Sequence, residues 1–114
     1  RKLRASKKAR QGIRKVKRSF ESDTPQKFYD EVFKTMQEYL GDKFQLPIGG
    51  ITSQIVDQEL KDRKINKDIL DKLREIFSEC DMARYALSQL DKNSRKLTFN
   101  KVREVIEYFE RERI

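Results

Sequence analysis

Apolar residues recur every three or four positions along this chain, and no stretch alternates persuasively between apolar and polar. That period belongs to helices packed through one face. Four Gly and two Pro in 114 residues are also too few for an all-β protein with many turns. The expected fold is all-α, a small bundle of about four helices plus an N-terminal basic helix. There is no internal repeat.

In the first segment, Ala5, Ala9, Ile13, Val16 and Phe20 fall within about 80° of one another at helical spacing, with Leu3 off that stripe. Gly12 weakens this helix by up to ~1 kcal/mol. Asp23 or Thr24 opens a second helix with Pro25 in its first turn, where a missing N–H costs little. Its broad apolar face is Phe28, Val32, Phe33, Met36, Tyr39 and Leu40, and Gly41 and Pro47 bracket its end. Residues 45–50 read as the one clear loop. Thr52 or Ser53 caps a short third helix with Ile55, Val56 and Leu60. Asn66 caps a fourth, with Ile69, Leu70, Leu73, Ile76, Phe77, Cys80 and Ala83 inward. Residues 91–96 read as a turn or loop, and a last helix turns Phe99, Val102, Ile106 and Phe109 inward.

Charge is unevenly placed. The first nineteen residues hold ten Lys and Arg and no acid, so the net charge of +8 is +10 from a short arm and −2 from the rest. This divides the chain into a basic arm, residues 1–22, and a helical domain, residues 23–114. A cationic block beside a balanced domain is a contact surface for an anion, either nucleic acid or the inner face of a membrane. No apolar run approaches the roughly 18–20 residues of a membrane span, so the portion present reads as soluble. It starts at Arg1 without Met or a secretory signal and reads as a piece of something longer.

Catalytic chemistry has little to work with. His is absent, which removes the commonest general base and metal ligand. Asp and Glu are scattered among Lys and Arg on helix faces. Cys80, the only cysteine, lies on an apolar stripe and reads as an inert buried thiol in a reducing compartment. Asp91, Asn93 and Arg95 imitate the start of a calcium loop. The match fails at Arg95, at Lys96 in place of the turn Gly, and at Val102 in place of the bidentate Glu. No metal, cofactor or small-molecule substrate is expected. Residues 52–63 and 67–79 have helix–turn–helix spacing. The second of these helices carries Asp68, Asp71, Glu75 and Glu79 against Lys67, Lys72 and Arg74, whereas a helix entering a phosphate-lined groove should be net basic.

Residues 28–85 carry a family likeness. The pieces are Phe28-Tyr29 opening a helix, Tyr39-Leu40 near its end, Leu46-Pro47 and Gly50-Ile51-Thr52 in the loop, and residues 80–85, Cys-Asp-Met-Ala-Arg-Tyr, closing the long helix. In order and spacing they resemble the cytoplasmic C-terminal domain of BatD-type aerotolerance (oxygen-tolerance) membrane proteins. A similar layout occurs in the helical domain of some membrane-bound transglutaminase-like proteins. The resemblance implies a bacterial, single-span membrane protein whose helical domain lies at the cytoplasmic face of the inner membrane. It implies no enzymatic activity, and partnership with von Willebrand A-domain proteins and a MoxR-type AAA+ ATPase. Residues 86–114 do not follow the family pattern.

On that likeness the arm is juxtamembrane, since Lys and Arg accumulate on the cytoplasmic side of a span. The expected contacts with an anionic membrane surface are Arg1, Lys2, Arg4, Lys7, Lys8, Arg10, Arg14, Lys15, Lys17 and Arg18. The arm's thin apolar stripe suggests that residues 1–19 can be removed with little effect on folding. A partner is expected at Leu46, Pro47 and Ile48 in the loop, or at Asp81, Arg84 and Tyr85 at the end of the long helix, where Asp81 and Arg84 can pair at i, i+3. The alternative is a small helical nucleic-acid-binding protein that grips phosphates with the arm.

Overall fold

The computed structural model describes residues 2–20, 25–46, 53–61, 63–83 and 92–112; within the helices, the side chains at 2–6, 53, 55 and 56 are outside the description. These residues form five helices and no strand: α1 (Lys2–Phe20), α2 (Pro25–Phe44), α3 (Ser53–Leu60), α4 (Lys67–Ala83) and α5 (Lys92–Glu112). The small all-α bundle expected from periodicity is therefore present.

The expected separation between arm and domain is not. α1 packs along α2 more extensively than any other two helices pack, and it also lies against α5. Ala9 and Val16 are buried in the common core, with Ile13 and Phe20 packed on it. At Gly12 the backbone of α1 lies against Thr35 of α2. A Cβ there would overlap Thr35 Cγ2 and stand 3.2 and 3.3 Å from its Oγ1 and Cβ, so the threonine would have to turn and the helices give slightly. The glycine that costs helix propensity lets α1 and α2 touch.

α2 is the central helix, in contact with α1, α4 and α5. Phe28, Val32, Met36, Tyr39 and Leu40 are wholly enclosed, and Leu73, Ile76, Val102, Val105 and Phe109 meet them from α4 and α5. Phe33 is only half-buried, but its ring stands edge-on to Phe77, with centroids 5.9 Å apart.

The end of α2 falls between Gly41 and Pro47, as expected: Gly41 is buried inside the helix, which runs to Phe44. The stop comes at Gln45, whose φ of 58° is left-handed, and the Leu46 N–H then donates to the Gly41 carbonyl at 3.1 Å. This is the six-to-one closure of a Schellman motif, made with Gln where Gly is usual. Replacing Gln45 by Gly removes the left-handed penalty of a side chain, less the extra unfolded-state entropy of Gly. Gln45→Gly is expected to stabilise the domain by about 0.5–1 kcal/mol, raising Tm by roughly 2–4 °C in a thermal melt. One boundary differs from the sequence expectation: residues 92–96 form the first turns of α5 rather than a loop. The calcium-like spacing therefore runs along a helix from position 92 onward. Thr98 anchors that start with its hydroxyl 3.1 Å from the Ser94 carbonyl, and Arg95 lies over the Phe20 ring at 5.8 Å.

The α4 cap is as expected. Asn66 Oδ1 accepts the Asp68 N–H at 2.8 Å. The Asn66 N–H donates to the Tyr108 hydroxyl at 3.0 Å, tying this turn to α5.

Candidate functional site

α1 has two faces because its apolar residues keep one azimuth and its cations take the rest. With Ala9, Gly12, Val16 and Phe20 turned inward, Lys7, Gln11, Arg14 and Arg18 run along the centre of the outer face, at i, i+4, i+7 and i+11. Arg10 and Lys17 flank this line on the α5 side and Lys15 on the α2 side. All six of these cations are exposed, and none forms an ion pair with a described carboxylate. Lys8 differs. It is half-buried and pairs with Asp42 on α2 at 2.9 Å, so it fastens α1 down.

On α4 and α5 several cations are engaged within the protein. Lys72 meets Asp68 and Glu104 at 2.9 and 2.6 Å, and Arg74 meets Asp57 and Asp71 at 2.6 and 2.8 Å. Two of the three cations that a helix–turn–helix reading would place in a groove, Lys72 and Arg74, are thus already engaged. Lys101 bridges Glu75 and Glu79 at 3.1 and 2.9 Å. Exposed pairs of this kind add little to stability, about 0–1 kcal/mol each. They do decide which cations remain open to an outside anion.

Of the other expected contact residues, Asp81 is exposed at the end of α4. Leu46 is a correction. It is only 8% exposed and closes the C-terminal cap of α2 against the core, so it offers no surface to a partner. The side chains of Lys2 and Arg4, and residues Arg1, Pro47, Ile48, Arg84 and Tyr85, lie outside what is described. The expected Asp81–Arg84 pair lies outside it too.

Buried polar groups are arranged for support. The Tyr39 hydroxyl donates to Glu110 at 2.6 Å, and Lys43 reaches the same oxygen at 3.0 Å. Thr98, fully buried, lies 3.4 Å from the Tyr29 hydroxyl and 3.3 Å from Glu79. Burial, more than any neighbour, raises the pKa of both Tyr29 and Tyr39 above the usual 10.0, and Glu110 adds to the rise at Tyr39. Below pH 10 both tyrosines stay protonated whether folded or unfolded. Above it the unfolded chain releases protons that the folded chain keeps, so stability falls as pH rises. Tyrosinate absorbance from Tyr29 and Tyr39 is expected to emerge only with the alkaline unfolding transition; a titration of both preceding unfolding would contradict their burial.

Cys80 is buried, its thiol 3.6 Å from the Tyr29 carbonyl. Among the described residues there is no group of three His, Cys, Asp or Glu placed to hold a metal ion, and no helix is long and apolar enough to cross a membrane. Reading by sequence missed the Gly12–Thr35 contact, although small residues at Ala9 and Gly12 on the inner side of α1 are the pattern that close helix approach leaves. No family model, curated protein or solved structure matches the chain.

Proposed function

We propose that this chain is a non-enzymatic interaction domain from the cytoplasmic side of a BatD-like single-span membrane protein. In this role α1 lies on the anionic membrane surface while the bundle meets von Willebrand A-domain proteins and a MoxR-type ATPase. The partners rest on the sequence resemblance alone. The membrane contact rests on one observation: six cations exposed on a helix held by the core, with no described carboxylate paired to them. Among the described residues the outer face offers charge and no large apolar side chain, which suits resting on headgroups rather than inserting between chains.

The charges carry a small cost that function would explain. Arg10, Arg14 and Arg18 are spaced at i, i+4, where like charges are unfavourable by about 0.2–0.5 kcal/mol per pair. Arg14→Glu turns two repulsions into two attractions and is expected to raise stability slightly. Each cation near an anionic leaflet contributes about 1 kcal/mol, and a reversed charge adds repulsion. The same variant should therefore bind vesicles containing phosphatidylglycerol roughly 10- to 30-fold more weakly. Binding should vanish on neutral phosphatidylcholine vesicles, and near 1 M salt, where screening acts over about 3 Å. Unchanged vesicle binding by Arg14→Glu would overturn the assignment. Tight, salt-sensitive binding of duplex DNA or RNA with no vesicle binding would replace it with the nucleic-acid reading.

A further inference from the structure

The two flanks of α1 differ. On the α2 side, a cleft of about 580 Å³ sets Lys15, Arg18 and Lys27 beside Asp30 and Glu31. On the α5 side, a cleft of about 600 Å³ is lined by Lys17 and Phe20 from α1 and by Lys92, Asn93, Lys96 and Phe99 from α5, with no described carboxylate. Among the described residues, the first flank sets two carboxylates against its three cations, and the second sets none against its three. We propose that the α5-side cleft is a docking site for an acidic peptide segment of a partner protein, one that carries an apolar side chain between its carboxylates. This deepens the interaction-domain reading above and rests on it.

Three features select that occupant. The floor is apolar and held in place: Phe20 and Phe99 both pack on the core, and Phe20 stands edge-on to Phe28 with centroids 5.8 Å apart. The rim is cationic, and Lys17, Lys92 and Lys96 form no ion pair with any described residue, so carboxylates complement it. Outside the cleft lining, Leu97 adds an apolar side chain, 55% exposed and one turn beyond Asn93 on the same helix. A cleft of this size lies in the range of sites that enclose a compact group such as a side chain.

Other anions fit less well. Arg95 lies over the Phe20 ring at 5.8 Å and Arg103 over Phe99 at 6.0 Å, so each ring already has a guanidinium against it and stacks a nucleobase poorly. Lys17 sits about a quarter-turn from the Lys7–Arg14–Arg18 line, so a membrane under that line meets the cleft only at its edge.

The test uses the full chain and a fluorescent peptide of aspartate and glutamate around a central pair of leucines, followed by anisotropy. Saturable binding is expected. It should weaken at least about tenfold in Lys92→Glu/Lys96→Glu, and by a similar factor when serines replace the peptide's leucines. Arg14→Glu should lose vesicle binding and keep peptide binding, which separates failure of this site from failure of the membrane reading. The proposal is overturned by absent binding, by equal binding of the serine peptide, or by equal binding of the Lys92/Lys96 variant. It is also overturned if that variant loses vesicle or oligonucleotide binding but not peptide binding.

Discussion

A chain lacking residues 1–19 is expected to lose cooperative unfolding, or to melt at least about 15 °C below the intact domain. Val16 is fully buried, Ala9 nearly so, and Ile13 packs on the core. Their burial together contributes about 3–5 kcal/mol, their removal uncovers apolar surface on α2 and α5, and Phe20 is left without the helix that carries it. Small domains have only about 5–15 kcal/mol in total, and near this length each kcal/mol moves Tm by about 4 °C. A truncated domain that melts normally would mean α1 is an appendage. Gly12→Ala asks the same question with one atom group and has the advantage of a sign. On a free helix the change stabilises by up to ~1 kcal/mol. Against Thr35 it overpacks, costing about 1–3 kcal/mol, so a net loss is expected. Adding Thr35→Ala to it should return part of that loss, since the obstructing methyl and hydroxyl are gone.

Phe77→Ala is expected to cost about 3–5 kcal/mol, roughly 12–20 °C in Tm. Phe77 is 2% exposed in the centre of α4 and meets Phe33 of α2 edge to face. The deletion therefore removes a buried ring and an aromatic pair, and its neighbours Leu73 and Ile76, fully enclosed themselves, cannot swing in to fill the space. A loss below about 1 kcal/mol in a denaturant titration would place this face of α4 at the surface, free to meet a partner.

Which parts of this were legible follows from what each signal depends on. The inward faces of α2, α4 and α5 were legible because their large apolar residues repeat at one azimuth: Phe28, Val32, Met36, Leu73, Ile76, Val102, Ile106 and Phe109 are all buried. The Asn66 cap was legible because Asn supplies the acceptor that the first turn needs. The end of α2 was bracketed by Gly41 and Pro47, but its cap was not legible, since Gln45 holds a conformation that composition assigns to Gly. The start of α5 was hidden by Lys92, Asn93 and Ser94, polar residues that suit a loop as well as an exposed first turn. The role of α1 was misjudged for a more general reason. The most deeply buried part of its stripe, Ala9, Gly12 and Val16, is small, and such residues look thin by hydrophobicity although they allow close packing. The outer cations could be named from sequence; that they ride on a fixed helix, and that Lys8 is bound to Asp42, required the fold. The α5-side cleft had no sequence signal, because Lys17 and Lys92 come from opposite ends of the chain.

The central claim is that the cationic face is mounted on a helix built into the core. Amide hydrogen exchange of the intact chain, resolved by residue and measured without vesicles, tests it most directly. The account predicts that the amides of Ile13, Val16 and Phe20 exchange as slowly as those of Met36 and Leu40 on α2, through the same global opening. Exchange of those α1 amides at the rate of an unfolded chain, with α2, α4 and α5 still protected, would contradict it.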